Sequence, residues 1–182
     1  MEIKIAGYAA ASHLLGREPD RWHAVVILGA GSESSGYVET RTLSSLYLHF
    51  DDVLDSQPGK ITPTSDAIRR GLDFAKGKDR ALVSCRAGQG RSVALAYLVA
   101  CQDSTPSEAV TLLDASRHSP NRLVVKIGAT VLGDLAILDR FDVWRRDNAC
   151  IRLSDYYDEI EAEFEELERQ GARDLISVAA RE

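Results

Sequence analysis

The 182-residue chain has no C-x-x-C pair, no G-K-[ST] triplet, no long uncharged apolar run and no surplus of basic residues. Each absence closes off a class of function. Its three cysteines, Cys85, Cys101 and Cys150, are odd in number and widely spaced. That argues against a disulfide framework or a structural zinc site and fits a reducing cytoplasm. Nothing approaches the ~18 apolar residues that span a bilayer. The opening "MEIKIAGYAAASHLLGRE" carries an acid at its second residue and no extended apolar region, so no signal peptide is expected. The four histidines, His13, His23, His49 and His118, show no metal-ligand spacing, and no metal or organic cofactor is expected.

Charge is unevenly placed. Residues 1–150 hold 18 acidic and 18 basic side chains, whereas residues 151–182 hold 10 acidic and 4 basic and supply the whole net charge of −6. A nucleic-acid surface needs clustered Lys and Arg, which neither part has.

Hydrophobic periodicity predicts strands over Glu2–Tyr8, Trp22–Gly29, Ser45–Phe50 and Arg80–Cys85. Helices are predicted from "AAASHLLG", over Pro63–Lys76 with Gly77 as its stop, and over Ser92–Gln102, which is apolar all round. A further helix runs from Pro106 to about Arg117. Another starts at Asn121 and continues to Trp144, with Gly128 and Gly133 as weak points. The tail places Leu153, Tyr156, Ile160, Phe164 and Leu167 on one helical face. The fold class is α/β, a mostly parallel central sheet flanked by helices. Residues 1–150 form one domain, and residues 151–182 add an acidic amphipathic C-terminal helix, packed on the domain or forming a dimer or partner contact.

Two glycine-bearing loops follow strands. "VVILGAGSESSG" offers G-x-G, but the third glycine, Gly36, comes too late and no helix opens there, so it reads as a flexible loop and not a dinucleotide site. "LVSCRAGQGRS" is different. A strand delivers Cys85 to its C-terminal end, where ligands bind in open α/β sheets. The loop Arg86, Ala87, Gly88, Gln89, Gly90 is short, and a helix opens at about Arg91. The N–H groups and positive dipole end of that helix, with those of the loop, form an anion cradle. Arg91 adds a planar guanidinium suited to gripping two phosphate oxygens. Cysteines at helix N-termini beside cations ionise more readily than free cysteine.

The stretch "CRAGQGRS", C-x-x-G-x-x-R-S, resembles the signature loop of the cysteine-dependent protein tyrosine phosphatases, closest to their compact dual-specificity-like branch. The resemblance extends from about Ser45 to Leu138: "LYLHFDD" sits where that branch keeps its acid, and "SPNRLVV" is similar to its "PN" stretch. It implies a phosphatase-like domain with Cys85 as nucleophile, Arg91 as clamp and Asp52 as general acid. Asp51 is the alternative acid, and Asp55 a more distant rival. Ser92 would stabilise the departing thiolate, and residues 86–90 would cradle substrate. Asn121 would cap its helix and brace the loop. That family usually has histidine before the cysteine; here it is Ser84.

The resulting expectation is hydrolysis of phosphate monoesters through a phosphocysteine, first on protein phosphotyrosine, with phosphoserine and phosphothreonine as further substrates to test. The partner is a phosphorylated protein or small phosphate ester, with no nucleic acid and no membrane. A phosphate- or phosphopeptide-binding module with little turnover is the alternative, followed by a phosphoinositide or RNA 5′-phosphatase.

Overall fold

The computed structural model describes residues 1–149, 166 and 175–179. Four strands form one parallel sheet in the order β1–β5–β2–β4: β1 Glu2–Gly7, β2 His23–Leu28, β4 Ser44–His49 and β5 Arg80–Cys85. The apolar run "ALVSC" occupies an interior position with neighbours on both sides, which is why it does not alternate with polar residues. Pairing puts Gly7 beside Cys85, Ser84 beside both Ala6 and Val26, and His49 beside Leu28. The C-terminal ends of all four strands therefore share one edge, and the loops that leave them converge there.

Alternate strand residues serve opposite faces. Ala24, Val26, Leu28 and Leu82 join a cluster with Tyr8, Ala11 and Leu15 of helix α1 (Tyr8–Arg17) and with Trp22. Val25, Ile27, Val83 and Cys85 face the other way, against helices α2 (Ser65–Ala75), α3 (Arg91–Ala100), α5 (Arg122–Leu132) and α6 (Ala136–Asp147). Helix α3 lies at the centre of that layer, with every residue from Arg91 to Val99 buried.

The structure departs from the sequence expectation in four places. The helix expected from Pro106 to about Arg117 is a single α turn, α4 Pro106–Ala109, closed by a Thr105–Glu108 capping box and continued by one 3-10 turn over Val110–Leu112. It stops because the Asp114 carboxylate takes the Ser116 backbone N–H at 2.9 Å and its hydroxyl at 2.6 Å, a local alternative to helical bonding. The long helix expected after Asn121 is two helices. Gly133, at φ 71°, ends α5 in the left-handed conformation that glycine adopts without strain. Gly128 weakens nothing: a Cβ there would lie 2.1 Å from Leu98 Cδ1, so its bare backbone lets α5 lie close on α3.

The fourth departure concerns the glycine- and serine-rich loop after β2. It contains strand β3, Ser32–Ser34, paired antiparallel with β6, Ser177–Ala179, from the end of the chain. Residues 177–179, placed in the helical tail by the sequence reading, are thus an edge strand. Ile176 beside them is fully buried in the α1-side cluster, and the Leu175 N–H donates to Ser12 Oγ at 3.2 Å. The amphipathic face from Leu153 to Leu167, and Cys150, lie outside the described residues. Among those residues no helix is long and apolar enough to cross a membrane, and no group of three His, Cys, Asp or Glu side chains is placed to hold a metal.

The Ile176 side chain is fully buried, and its carbonyl accepts from Ser35 N at 3.3 Å. Ile176→Ala should destabilise the fold by about 2–4 kcal/mol, read from urea unfolding. A change below about 0.5 kcal/mol would show that the chain end adds nothing to stability.

Candidate active site

Cys85 is the last residue of β5, 1% exposed, at the floor of the loop Arg86–Gly90. Its Sγ lies 3.1 Å from the Ser92 hydroxyl in the first turn of α3, which is also fully buried. A thiol and a hydroxyl are thereby held together at a helix N-terminus. Ser84, one residue earlier, falls on the opposite face of the strand, the face of Leu82 and not that of Val83 and Cys85. It is buried and its Oγ has no hydrogen-bond partner among the described residues. The hydroxyl that serves the sulfur is therefore that of Ser92.

The loop is held from outside by its carbonyls. Arg86 O accepts from Tyr8 N at 3.2 Å, Gln89 O from Ser119 N at 3.0 Å, and Gly90 O from Asn121 N at 3.2 Å. Carbonyls secured in this way leave the loop's N–H groups as the donors that an anion would need. Gly88 makes the turn at φ +70°, and a Cβ there would lie 2.4 Å from Gly7 N and 2.6 Å from Ala6 C. Neither the dihedral nor the space admits another residue. The Arg86 side chain is exposed, Ala87 is half-buried, and Gln89 is 6% exposed with its Nε2 unpartnered among the described residues.

Arg91 is 7% exposed, an unusual burial for a guanidinium. Its Nη1 donates to Phe50 O at 2.8 Å, which ties the helix start to the end of β4. Its Nε makes no hydrogen bond among the described residues and lies 4.0 Å from Asp52 Oδ2. Asp52 reaches over the loop so closely that a Cβ on Gly90 would lie 2.2 Å from Oδ2. Its other oxygen, Oδ1, accepts from Asn121 Nδ2 at 2.7 Å.

The two adjacent aspartates have different surroundings. Asp51 Oδ1 takes the Ala30 N–H at 3.1 Å and Oδ2 the Ile61 N–H at 2.8 Å. Burial opposes its charge, but those donors, with Lys60 and Arg91 nearby, outweigh it and hold the carboxyl below its ordinary value. A carboxylate with both oxygens committed and its proton disfavoured ties loops together and is a poor acid. Asp52, whose carboxylate is 48% exposed and points toward Arg91, has the position an acid needs. Asp55 also sits on the exposed loop, and no hydrogen bond or ion pair among the described residues places it at the site.

Sequence reasoning underestimated two residues. Gly29, in the loop read as merely flexible, lies against both loops: a Cβ there would be 2.9 Å from Asp51 Oδ1 and 3.7 Å from Arg91 Nη1. Asn121 was read as a cap and brace. It is a cap, with Oδ1 accepting from Val124 N at 3.1 Å, but it also grips Asp52. No local pattern marks either role, because both partners are far along the chain. Cys101 is free and half-buried, and burial pushes its thiol up to about 11, too high for a reactive nucleophile.

A cavity of about 930 Å³ opens beside the loop, from Asp52, Gln89, Gly90 and Asn121 to Arg122, Asp142, Trp144 and Arg145. Its charges are largely internal pairs: Arg122 grips Asp142 at 2.6 and 2.8 Å, and Arg146 meets Asp147 at 3.3 Å. Arg145 has no carboxylate partner of this kind among the described residues. Burial, against the opposing pull of Asp114, holds the lining His118 below its ordinary value, hence neutral at pH 7.

No family model matches the chain, and no curated protein does. Among solved structures it is similar to PTPMT1 in complex with PI(5)P, at 15% identity and a TM-score of 0.47, over 72% of this chain and 93% of that one. It is similar to PTPMT1 alone at 16% identity and a TM-score of 0.47, over 72% and 92%. For Tk-PTP in the active form the identity is 18% and the TM-score 0.46, over 77% and 93%.

Gly88→Ala should cost about 1–3 kcal/mol from the dihedral alone and remove binding of inorganic phosphate in calorimetric titration. Unchanged phosphate affinity would show that this loop does not hold anions.

Proposed function

We propose that this chain is a cysteine-dependent phosphatase that hydrolyses phosphate monoesters through a phosphocysteine intermediate, with phosphotyrosine on proteins as its substrate. The observation that carries the reading is the convergence on one short loop of a buried thiol, a buried guanidinium with an uncommitted Nε, and a carboxylate lying over Gly90. The sequence resemblance to the compact branch of that family points the same way.

The chemistry follows from the geometry. With the phosphoryl group in the cradle, loop N–H groups and Arg91 Nε meet its equatorial oxygens. The Cys85 thiolate attacks phosphorus; the S–P bond forms as the ester O–P bond breaks. Asp52 gives its proton to the departing oxygen. A water then loses its proton to the Asp52 carboxylate and attacks the phosphocysteine. The S–P electron pair returns to sulfur, where the Ser92 hydroxyl meets it. Charge is handled throughout by Arg91 and backbone donors. A thiolate nucleophile suits a reducing compartment, and we place the protein in the cytoplasm.

The cavity beside the loop supports a polypeptide substrate over a lipid. Among the described residues its lining carries donors and acceptors from Asn121, Ser119, Asn148 and Arg122 alongside Leu54, Pro120 and Trp144, which suits a peptide's backbone and side chains together. Arg145, which borders that wall and makes no carboxylate hydrogen bond among the described residues, suits an acidic residue near the phosphotyrosine.

Cys85→Ser should abolish hydrolysis of p-nitrophenyl phosphate, and Asp52→Ala should lower it by about 10²–10³-fold. Full activity in Cys85→Ser would refute the mechanism, whereas a wild-type protein that binds inorganic phosphate but does not hydrolyse p-nitrophenyl phosphate would favour the binding-module alternative. Arg145→Glu should lower kcat/KM for an acidic phosphotyrosine peptide by about 3- to 10-fold and leave p-nitrophenyl phosphate unaffected; equal effects on both would remove the cavity from substrate recognition.

A further inference from the structure

Asn121 joins three parts of the molecule. Its backbone N–H holds Gly90 O of the cysteine loop, its Oδ1 caps α5 through Val124 N, and its Nδ2 donates to Asp52 Oδ1 at 2.7 Å and to Val53 O at 3.1 Å. The residue is 3% exposed, and its bonds to Val53 and Val124 are buried, whereas the Asp52 side chain it holds is 48% exposed. From this we infer that Asn121 is a positioning residue for the general acid, and that it selects which oxygen of Asp52 carries the proton. The inference rests on Asp52 being the acid of the reaction proposed above.

The orientation of the amide is determined by its partners. Val124 N is a donor and Val53 O an acceptor, so the carbonyl oxygen of Asn121 must face the first and its NH₂ the second. A flipped amide would set donor against donor and acceptor against acceptor. The group that meets Asp52 Oδ1 is therefore a donor that cannot accept.

The carboxyl oxygen that receives this bond is the carbonyl oxygen of the protonated acid, because the hydroxyl oxygen is the weaker acceptor. The proton then resides on Oδ2. That is the oxygen on the Arg91 side, 4.0 Å from Nε and directly over Gly90. The O–H is thus presented to the space above the cysteine loop, where the ester oxygen departs. Without Asn121 the half-exposed carboxyl is free to rotate and to exchange its two oxygens. Asn121 acts through Asp52 and touches no reacting atom in this scheme.

The test separates the cap from the donor. Asn121→Asp and Asn121→Ser both retain a side-chain oxygen for the helix cap, so both should fold. Asn121→Asp loses the donor, while the shorter Asn121→Ser does not reach Asp52. In the full-length protein, kcat/KM for phenyl phosphate, whose leaving group needs a proton, should fall by about 10- to 100-fold. For 2,4-dinitrophenyl phosphate, whose leaving group does not, it should fall by less than about 3-fold. In an Asp52→Asn background the Asn121 substitutions should have no further effect. Equal losses on the two esters, or undiminished losses in the Asp52→Asn background, would overturn the inference and leave Asn121 a cap only. Absence of Cys85-dependent hydrolysis in the unsubstituted protein would instead overturn the reaction itself.

Discussion

Burying the charge of Arg91 is the constraint around which the rest of the site is arranged. A guanidinium taken out of water is costly unless its donors are met. Here one donor is met by Phe50 O, and the nearest carboxylate oxygen, of Asp52, stands 4.0 Å from Nε. That distance gives attraction without a committed hydrogen bond. The arginine can therefore stay charged and ordered while keeping donor capacity for an oxyanion. Helix α3 can hold such a residue at its start because its next eight residues are buried among apolar neighbours, which secures the helix independently of its first turn.

Around that charge, three chain segments are tied by bonds that each do two things. Phe50 O ends β4 and orients Arg91. Asn121 caps α5 and holds Asp52. The carbonyls of Arg86, Gln89 and Gly90 secure the loop against β1's end and the segment before α5 and form part of its backbone bonding. Glycine appears where backbone must approach closely: Gly88 over β1, Gly90 beneath Asp52, and Gly29 beside Asp51 and Arg91. Asp51 and Asp52, adjacent in sequence, are separated in role by what surrounds them. The first is consumed by two backbone donors; the second keeps one oxygen toward the site.

Much of this was legible in the sequence because it is local. The strand–loop–helix around Cys85 is contiguous, with glycines and an arginine at fixed offsets, so cradle, thiol and guanidinium are written within one short stretch. The different surroundings of Asp51 and Asp52 were not legible: they come from the Ala30 and Ile61 N–H groups, which no spacing reveals. The helix expected after Pro106 failed because Asp114 and Ser116 offered the backbone a competing set of bonds. Strand β3 went unseen because its partner, β6, lies at the far end of the chain, and three polar residues carry no periodic signal of their own.

The sequence by itself determined the four strands of the main sheet, helices α1, α2 and α3, and the thiol at the end of β5 with the short glycine loop that follows it. These depend on hydrophobic period, turn chemistry and helix-end electrostatics, all of which act over a few residues. Only the tertiary structure decided that the Ser84 side chain lies on the opposite face from the sulfur, that Asn121 holds Asp52, and that Arg145 borders the neighbouring cavity. Those relations depend on which strand face a side chain occupies and on parallel register between segments far apart in the chain. A hydrogen bond forms wherever the fold brings donor and acceptor together, and it leaves no trace in their separate sequence neighbourhoods.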